Sequence, residues 1–288
     1  MPSEVIATPA EIEAEVLDNE EISEAGFLLT LGGKMPGRGK SSAHAKTSAL
    51  GKMPTPLPGQ FFMVGLPREG RFFLRRPFSV LDFEPASNRL QIYYSVIGEG
   101  TRALSRVPPG SRLELLGPLG RPFPRSIGVM DVIIGGGRGI APLVFLSRTA
   151  PRKRKTLFFA GAGSEAGLVF LDKVKAGGIF VSTDDGSLGM KGTVMDLLRG
   201  FVSRTSFDWS RSTFYGCGPA GLLKELHGLC LRLNAACFAS LEARMGCGVG
   251  VCQGCAVKNS GAGYSLVCKD GPVFESARID WESYEVQR

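Results

Sequence analysis

Residues 129–149 read VMDVIIGGGRGIAPLVFLSRT, and this stretch decides the fold of the larger part of the chain. From Val129 to Ile134 the run is short, apolar and largely β-branched, and it ends in Gly135-Gly136-Gly137. That is a buried strand running into a glycine turn, and PLVFLSRTA from Pro142 reads as the helix that follows. TLFFAGAG (156–163), GIFVST (178–183) and STFYGCG (212–218) are further apolar strands, and 166–175, 192–200 and 219–233 read as helices. Strands alternating with helices specify a parallel α/β sheet. Glycines let a pyrophosphate approach the backbone, and a helix N-terminus offers unpaired N–H groups to it. A second turn, Tyr215-Gly216-Cys217-Gly218-Pro219, ends a later strand of the same sheet, with Pro219 placed as a first helical residue. Ligands of parallel sheets lie at the carboxyl ends of strands, so both turns are expected to face one crevice. Taken alone, a glycine-rich strand-to-helix turn is also simply a tight turn.

Upstream the pattern differs. Residues 11–31, 60–64, 72–74, 78–83, 89–97 and 112–116 are strand-like runs separated by turn residues such as the Pro-Pro-Gly at 108–110. Closely spaced strands with frequent turns predict a small antiparallel barrel or sandwich. Between the first two runs, residues 34–58 are rich in Gly, Ser, Lys and Pro, the composition of a flexible insert. After Leu233 the chain becomes Cys- and Gly-rich and reads as a third, small unit. The expected domains are 1–125 (with the 34–58 insert), 126–235 and 236–288.

The 288 residues are 43% hydrophobic and 21% charged, which excludes a disordered chain. No apolar run reaches the ~18–20 residues of a membrane-spanning helix. The opening MPSEVIATPAEIEAEV carries Glu where an export signal carries Lys or Arg, so a cytoplasmic protein without a membrane partner is expected. A formal charge of +7 raises nucleic-acid binding, but its distribution argues against it. Eight acids and no base lie in residues 1–33, and five bases and no acid in 34–59. Arg152-Lys153-Arg154-Lys155 adds four more bases, and outside these two basic runs the chain is slightly acidic. Neither run is interleaved with aromatics that could stack on bases, so no nucleic-acid partner is expected.

Four of the seven cysteines stand as Cys247-x4-Cys252-x2-Cys255-x12-Cys268 in the string MGCGVGVCQGCAVKNSGAGYSLVCKDG. In a chain without an export signal, clustered cysteines read as metal or redox chemistry before disulfides. Four thiolates at this spacing are the plant-type [2Fe–2S] ligand pattern. Gly246, Gly248, Gly250 and Gly254 let the loop wrap tightly and aim N–H donors at the sulfurs. A structural zinc site is the alternative, although zinc sites more often show two short Cys pairs across a longer gap; plain buried thiols are a third reading. A Rieske centre needs two His ligands, and His44 and His227 are both far from the loop in sequence. In the barrel region, Arg75-Arg76-Pro77-Phe78-Ser79 sets cations beside an aromatic and a hydroxyl, suited to a diphosphate and a flavin ring. A strand with a surface ion pair is the plainer reading there. Cys230 and Cys237 read as buried thiols on a helix.

RRPFSV, YYSVIGEGT, GPLGRPF, IIGGGRGIAPL, STDDGSLGMKGTV, YGCGP, SLEARMGCGVGVCQGCAV and VCKDGPVF occur in that order, from about residue 11 onward and outside the 34–58 insert. In these strings the chain resembles the ferredoxin reductase-like flavoproteins. It resembles more closely the iron–sulfur electron-transfer subunits of class 1B dihydroorotate dehydrogenase, and the two Cys-bearing strings are the most specific part of the likeness. The resemblance implies an FAD-binding antiparallel β-barrel, a Rossmann-like parallel-sheet NAD domain and a small C-terminal [2Fe–2S] domain. It places Arg76, Pro77, Phe78 and Ser79 at the flavin and diphosphate, with Tyr93, Tyr94, Ser95, Gly100 and Thr101 completing that pocket. It places exchangeable NAD at Gly135, Gly136, Gly137, Gly139, Pro142, Cys217, Gly218 and Pro219, and the cluster on Cys247, Cys252, Cys255 and Cys268.

In that family electrons leave dihydroorotate through FMN in a separate catalytic subunit, cross the cluster singly to FAD, and pass as hydride to NAD+. The implied partner is that FMN-containing subunit, in a heterotetramer with two copies of each chain, serving pyrimidine biosynthesis. No catalytic acid–base residue for dihydroorotate is assigned in this chain. The rival reading is an FAD/[2Fe–2S] subunit of an NADH-dependent ferredoxin:NADP oxidoreductase, a sulfide dehydrogenase or a hydrogenase. Three features depart from the family pattern or qualify it. The 34–58 insert is unusually long, and Arg138 stands where a small or apolar residue is common. Glu165 offers no cation to a 2′-phosphate and so favours NAD over NADP.

Overall fold

The computed structural model describes residues 8–33, 52–66, 72–149, 151 and 154–285. The chain divides into two compact units, Met1–Pro56 with Phe61–Leu119, and Leu57–Gln60 with Gly120–Arg288.

In the first unit, β1 (Ala10–Ser23), β2 (Gly26–Gly33), β3 (Phe61–Val64), β4 (Arg76–Glu84), β5 (Arg89–Ser95) and β6 (Arg112–Leu119) close into a barrel. The order is β1-β2-β5-β4-β3-β6, every pairing is antiparallel, and α1 (Glu99–Leu104) lies between β5 and β6. Period-two alternation sets the faces: Leu90, Ile92 and Tyr94 of β5 are buried, while Gln91 and Tyr93 between them are partly exposed. Asn19 ties β1 to the end of α1, donating to the Leu104 and Val107 carbonyls (2.8 and 3.1 Å) and accepting from the Tyr94 hydroxyl (2.9 Å).

Two expectations change here. Residues 72–74 are not a strand, because pairing with β3 begins only at Arg76 opposite Val64, and the Phe73 ring is left 98% exposed. The 34–58 segment is not uniformly a loose insert. Met53 is buried and donates its N–H to Asn88 Oδ1 (2.9 Å), and Leu57–Gln60 packs in the second unit. There Gln60 is fully buried with both ends of its amide bonded, to the Leu57 N–H and the Gly120 carbonyl. Residues 34–51 lie outside the described residues.

The second unit is built on a seven-stranded sheet. It comprises β7 (Met130–Gly136), β8 (Lys155–Ala162), β9 (Gly178–Thr183), β10 (Met190–Lys191), β11 (Ser212–Cys217) and β12 (Ala236–Ser240), all parallel. A separate hairpin of β13 (Ala256–Lys258) and β14 (Tyr264–Leu266) precedes β15 (Val273–Glu275), which joins the sheet antiparallel to β12. The order is β10-β9-β8-β7-β11-β12-β15, with α2 (Ile140–Thr149), α3 (Val194–Arg204) and α4 (Ala220–Leu233) as crossovers. From β7 the chain winds outward through β8 and β9, then returns to β11 on β7's other side. The carboxyl ends of β7 and β11 are therefore the topological switch point. One face of the sheet packs Val132, Ile134, Phe159 and Phe214 against Leu198 of α3 and Leu226 and Leu229 of α4.

Several further expectations are corrected. Residues 166–175 hold two 3₁₀ turns, Glu165–Gly167 and Leu171–Lys173, because Phe170 between them is left-handed (φ 65°) and breaks any continuous helix. Cys230 and Cys237 are both buried as expected, but one stands on α4 and the other on β12. The expected boundary near residue 125 falls at 119/120, and the one at 235/236 falls inside a sheet, since β12 extends the parallel order and β15 caps it. Of the second basic run, Arg154 is committed inward. Its Nε lies 3.0 Å from each Asp131 carboxylate oxygen, and its guanidinium also meets Ser126 Oγ and the Gly128 carbonyl. Arg152 and Lys153 lie outside the described residues.

The C-terminal segment docks on α4 through His227, whose Nδ1 lies 3.0 Å from Ser276 Oγ and whose ring stacks on Trp281 at 5.6 Å. Burial lowers the His227 pKa, so the unfolded chain takes up the proton first. Stability linked to the neutral ring is therefore full above the unfolded value of about 6.5 and drains away as pH falls below it. The thermal midpoint of the protein is expected to drop more steeply from pH 7 to pH 5 than that of His227→Asn. Equal slopes would show that this ring does not contribute.

Candidate functional site

At the switch point, the two glycine turns touch. A Cβ on Gly139 would stand 2.3 Å from the Cys217 carbonyl oxygen, and one on Gly136 would meet Leu222 at 2.6 Å and Pro219 at 3.1 Å. Gly218, at φ 158°, lies against the Gly136 backbone. Gly135 has another part: its missing Cβ admits Ile140, letting α2 pack on β7. Gly137 takes φ 53° and has open space where a Cβ would be, so the turn presents bare backbone at the mouth of the crevice. The amino ends of α2 and α4 both meet here, and no side chain caps α4. Two helix N-termini and an open glycine are groups that could hold a diphosphate. Pro142 is buried within the first turn of α2, so it shapes that turn and does not line the crevice. Pro219 is the residue just before α4, one position earlier than expected. Cys217 is buried, and its thiol is pushed up to about 12 by burial and then by the Glu242 charge, so it is a neutral thiol.

On the barrel, Arg76 Nη1 donates to the Leu74 carbonyl (2.7 Å), and its Nε lies 3.4 Å from where a Cβ on Gly100 would stand. Glycine at 100 therefore lets the guanidinium lie against the first turn of α1. Thr101 shapes that turn: its hydroxyl accepts from the Ile97 and Gly98 N–H groups and donates to the Gly98 carbonyl. Pro77, Phe78, Ser79 and Ser95 are partly exposed on the flanking strands, and the Tyr93 hydroxyl lies 3.3 Å from Ser23 Oγ. The Tyr94 side chain faces inward. It is 2% exposed, its ring stacks on Phe27 (5.6 Å) and meets Phe78, and its hydroxyl is bonded to Asn19, so it belongs to the barrel core. Arg75 is held by Glu11 (2.8 Å) and Glu114 (3.6 Å), as the plainer ion-pair reading has it.

The cysteine loop leaves β12 and returns at β15. Gly248 (φ 75°) and Gly250 (φ 83°) turn it tightly, and Gln253 is also left-handed (φ 57°). The cysteines stand in two pairs, each joined by a backbone N–H to sulfur bond: the Cys252 N–H to Cys247 Sγ, and the Cys268 N–H to Cys255 Sγ. Cys247 Sγ accepts N–H groups from Val249 and Cys252 at 3.4 Å, and Cys255 Sγ accepts from Cys268 at 3.4 Å. Cys247 is held down to about 6, first by the Cys252 N–H, whereas Cys268 is pushed up to about 12 by burial and by Cys255. Gly246 and Gly254 would place a Cβ 3.4 and 3.7 Å from Cys252 Sγ, so glycine leaves room around that sulfur. Among the described residues no three His, Cys, Asp or Glu side chains converge on one ion. Two thiol pairs with backbone donors match a two-iron centre, in which each iron takes two sulfurs from the protein, better than a single tetrahedral zinc.

The structure also brings forward residues that no motif reading had assigned. Ser240 is the register partner of Cys217, and Glu242 follows two residues later with its side chain exposed. The Asp184 and Asp185 N–H groups bond to the Ala162 and Gly163 carbonyls, which sets both acids beside the exposed Glu165 turn at the carboxyl ends of β8 and β9.

Residues 242–280, which hold all four ligand cysteines, match the family described as the iron-sulfur cluster binding domain of dihydroorotate dehydrogenase B. The chain is 37% identical over 272 residues to the dihydroorotate dehydrogenase B (NAD(+)) electron transfer subunit of Caldanaerobacter subterraneus subsp. tengcongensis, covering 93% of this chain and 98% of that one. It is 36% identical to the protein of that name from Desulforamulus reducens, over 78% and 87% of the two chains. The solved structure of an NADH-dependent reduced ferredoxin-NADP oxidoreductase, studied for flavin-based electron bifurcation, superposes with a TM-score of 0.74 at 26% identity, covering 98% of this chain and 92% of that one. A ferredoxin NADP+ reductase from Neisseria gonorrhoeae, with bound FAD and NADP, shares the fold at 17% identity and a TM-score of 0.59, over 77% and 91% of the two chains. With that identity maintained across nearly the whole of both chains, this protein belongs to the dihydroorotate dehydrogenase B electron transfer subunit family.

Proposed function

We propose that this chain takes electrons from the FMN of a separate dihydroorotate dehydrogenase subunit and delivers them to NAD+, in pyrimidine biosynthesis. The observation that carries the reading is two cysteine pairs, each joined by a backbone N–H to sulfur bond, on a loop anchored to the same sheet as the two glycine turns. When bound, a [2Fe–2S] cluster passes single electrons, FAD stores two, and NAD+ accepts them as hydride. Cys247, Cys252, Cys255 and Cys268 would hold the cluster, with the Val249, Cys252 and Cys268 N–H groups supporting its sulfurs. Arg76 and the first turn of α1 would hold the flavin's diphosphate, and Gly135–Gly139 with Gly218 that of NAD. Glu165, Asp184 and Asp185 give one edge of the nucleotide crevice three acids, against one base, Lys191, which stands near the same loop beside Gly186. On balance this edge suits the ribose diol of NAD and repels a 2′-phosphate.

The partner would dock at the exposed edge of the cysteine loop. Cys252 is exposed there, and Val249 (45%) and Val251 (78%) present apolar surface that an isolated subunit gains nothing by exposing. A heterotetramer with two copies of each subunit in the cytoplasm completes the proposal; no helix of the described residues is long and apolar enough to cross a membrane. The second reading, an NADH-dependent reduced ferredoxin-NADP oxidoreductase subunit, is favoured by the 0.74 superposition. Co-expression with the genes beside it decides between them. Dihydroorotate-dependent NADH formation by the purified complex is expected, and a glutamate synthase-like or hydrogenase partner would overturn the first reading.

Two substitutions probe the sites separately. Cys252→Ser changes an exposed side chain, so iron and acid-labile sulfide are expected to fall to background while flavin content and folding persist; full iron retention would refute the ligand set. Gly139→Ala drives a Cβ into the Cys217 carbonyl, an overpacking that costs about 1–3 kcal/mol. The KM for NAD+ is expected to rise about tenfold or more at unchanged iron content. An unchanged KM would remove the two-turn contact from the nucleotide site.

A further inference from the structure

Gly250 is covered by a lysine. It stands three residues after Cys247 and two before Cys252, and a Cβ on it would lie 2.9 Å from Cδ and 3.4 Å from Cβ of Lys269. The aliphatic stem of Lys269 therefore crosses the backbone of the loop that carries the first two cysteines, in space that glycine leaves open. Its root is fixed as well. Lys269 directly follows Cys268, and its N–H bonds to the Leu266 carbonyl at 3.0 Å. The ammonium is two bonds beyond Cδ, so with the stem seated there it stays beside Val249, Gly250 and Val251. One side chain thus reaches from the fourth cysteine to the loop of the first two and brings a positive charge with it.

Little on the cysteine segment offsets that charge. From Met245 to Lys269 the sequence holds no acid, and its one other base, Lys258, is paired with Asp280 at 2.8 Å. The next residue, Asp270, has its carboxylate engaged by the Leu266 N–H at 2.8 Å. Among the described residues no carboxylate pairs with Lys269, which is exposed, as Cys252 is.

We propose that Lys269 tunes the iron–sulfur centre, its ammonium seated over Gly250 so as to raise the reduction potential of a cluster held by the four cysteines. A [2Fe–2S] cluster on four thiolates is already an anion, and the single electron it accepts adds one more negative charge. A fixed cation nearby therefore stabilises the reduced form more than the oxidised one. In the relay above, that favours entry of the electron from the partner subunit. The inference rests on the cluster reading and adds to it a charge outside the ligand set.

Anaerobic redox titration of the holoprotein, followed by electron paramagnetic resonance, reads the midpoint potential of the cluster without any turnover. The chains compared are the unmodified one, Lys269→Met, Lys269→Arg and Lys269→Glu, with iron, sulfide and flavin content as controls. Methionine keeps an unbranched stem over Gly250 and removes the charge. At the unmodified midpoint, the ratio of reduced to oxidised cluster is expected to fall about threefold in Lys269→Met. In Lys269→Glu it is expected to fall about tenfold, which is about 59 mV for a one-electron couple. Lys269→Arg should keep the original potential, and the differences should shrink in high salt, which screens exposed charges. Potentials unchanged in both Lys269→Met and Lys269→Glu would overturn the proposal. So would an equal fall in Lys269→Met and Lys269→Arg, which would mark a packing effect. Should Lys269→Met lose iron, the pair Lys269→Arg and Lys269→Glu still reads the sign of the charge, and equal potentials in those two would also overturn it. An unmodified protein that carries zinc and no sulfide would instead defeat the cluster reading itself.

Discussion

The arrangement depends on a short backbone pairing. β15 lies antiparallel on β12 through Phe238↔Glu275, Ala239↔Phe274 and Ser240↔Val273, reinforced where the Leu241 N–H bonds to the Pro272 carbonyl. Everything between residues 241 and 272, including Cys247, Cys252, Cys255 and Cys268, is thereby a loop closed on the edge of the seven-stranded sheet. Closing so long a loop costs conformational entropy, and the cost grows only slowly with length once both ends are anchored. On its other side β12 pairs with β11, which sets Ser240 opposite Cys217, and from there the chain runs into the cysteine loop. A cluster domain attached by a linker could swing; one whose two ends are strands of the sheet cannot move without breaking it.

Much of this was legible in local sequence. VMDVIIGGG followed by an apolar helix defines β7, its turn and α2 because each element is fixed by neighbours a few residues apart. The four cysteines were legible because ligand spacing is a local property of one loop. The parity of RLQIYYS separates the side chains of Tyr93 and Tyr94: sharing a face with Leu90 and Ile92 puts the Tyr94 ring in the core. What escaped the sequence is contact between distant segments. Glu242 and Tyr284 are 42 positions apart and share no motif, and nothing local marks ACFAS at 236–240 as the next parallel strand of the sheet. The apolar run at 166–175 looked helical because composition cannot show that Phe170 adopts a left-handed conformation.

The charge distribution takes on a narrower meaning in the fold. Of the first basic run, Lys34, Arg38, Lys40 and Lys46 lie outside the described residues. Within the second basic run, Arg154 neutralises the buried Asp131 at the amino end of β7, an internal pairing whose loss would leave a carboxylate stranded. At the carboxyl end of the same sheet the acids gather instead, with Glu165, Asp184 and Asp185 on one side and Glu242 on the other.

The central claim is that two thiol pairs hold one two-iron centre on the nucleotide sheet. Iron and acid-labile sulfide analysis of the anaerobically purified protein, with the electron paramagnetic resonance spectrum of its reduced form, tests this most directly. The account predicts about two irons and two sulfides per chain and a spin-half signal on reduction, as for a Cys-ligated [2Fe–2S] cluster. A colourless protein carrying one zinc per chain and no sulfide would contradict it.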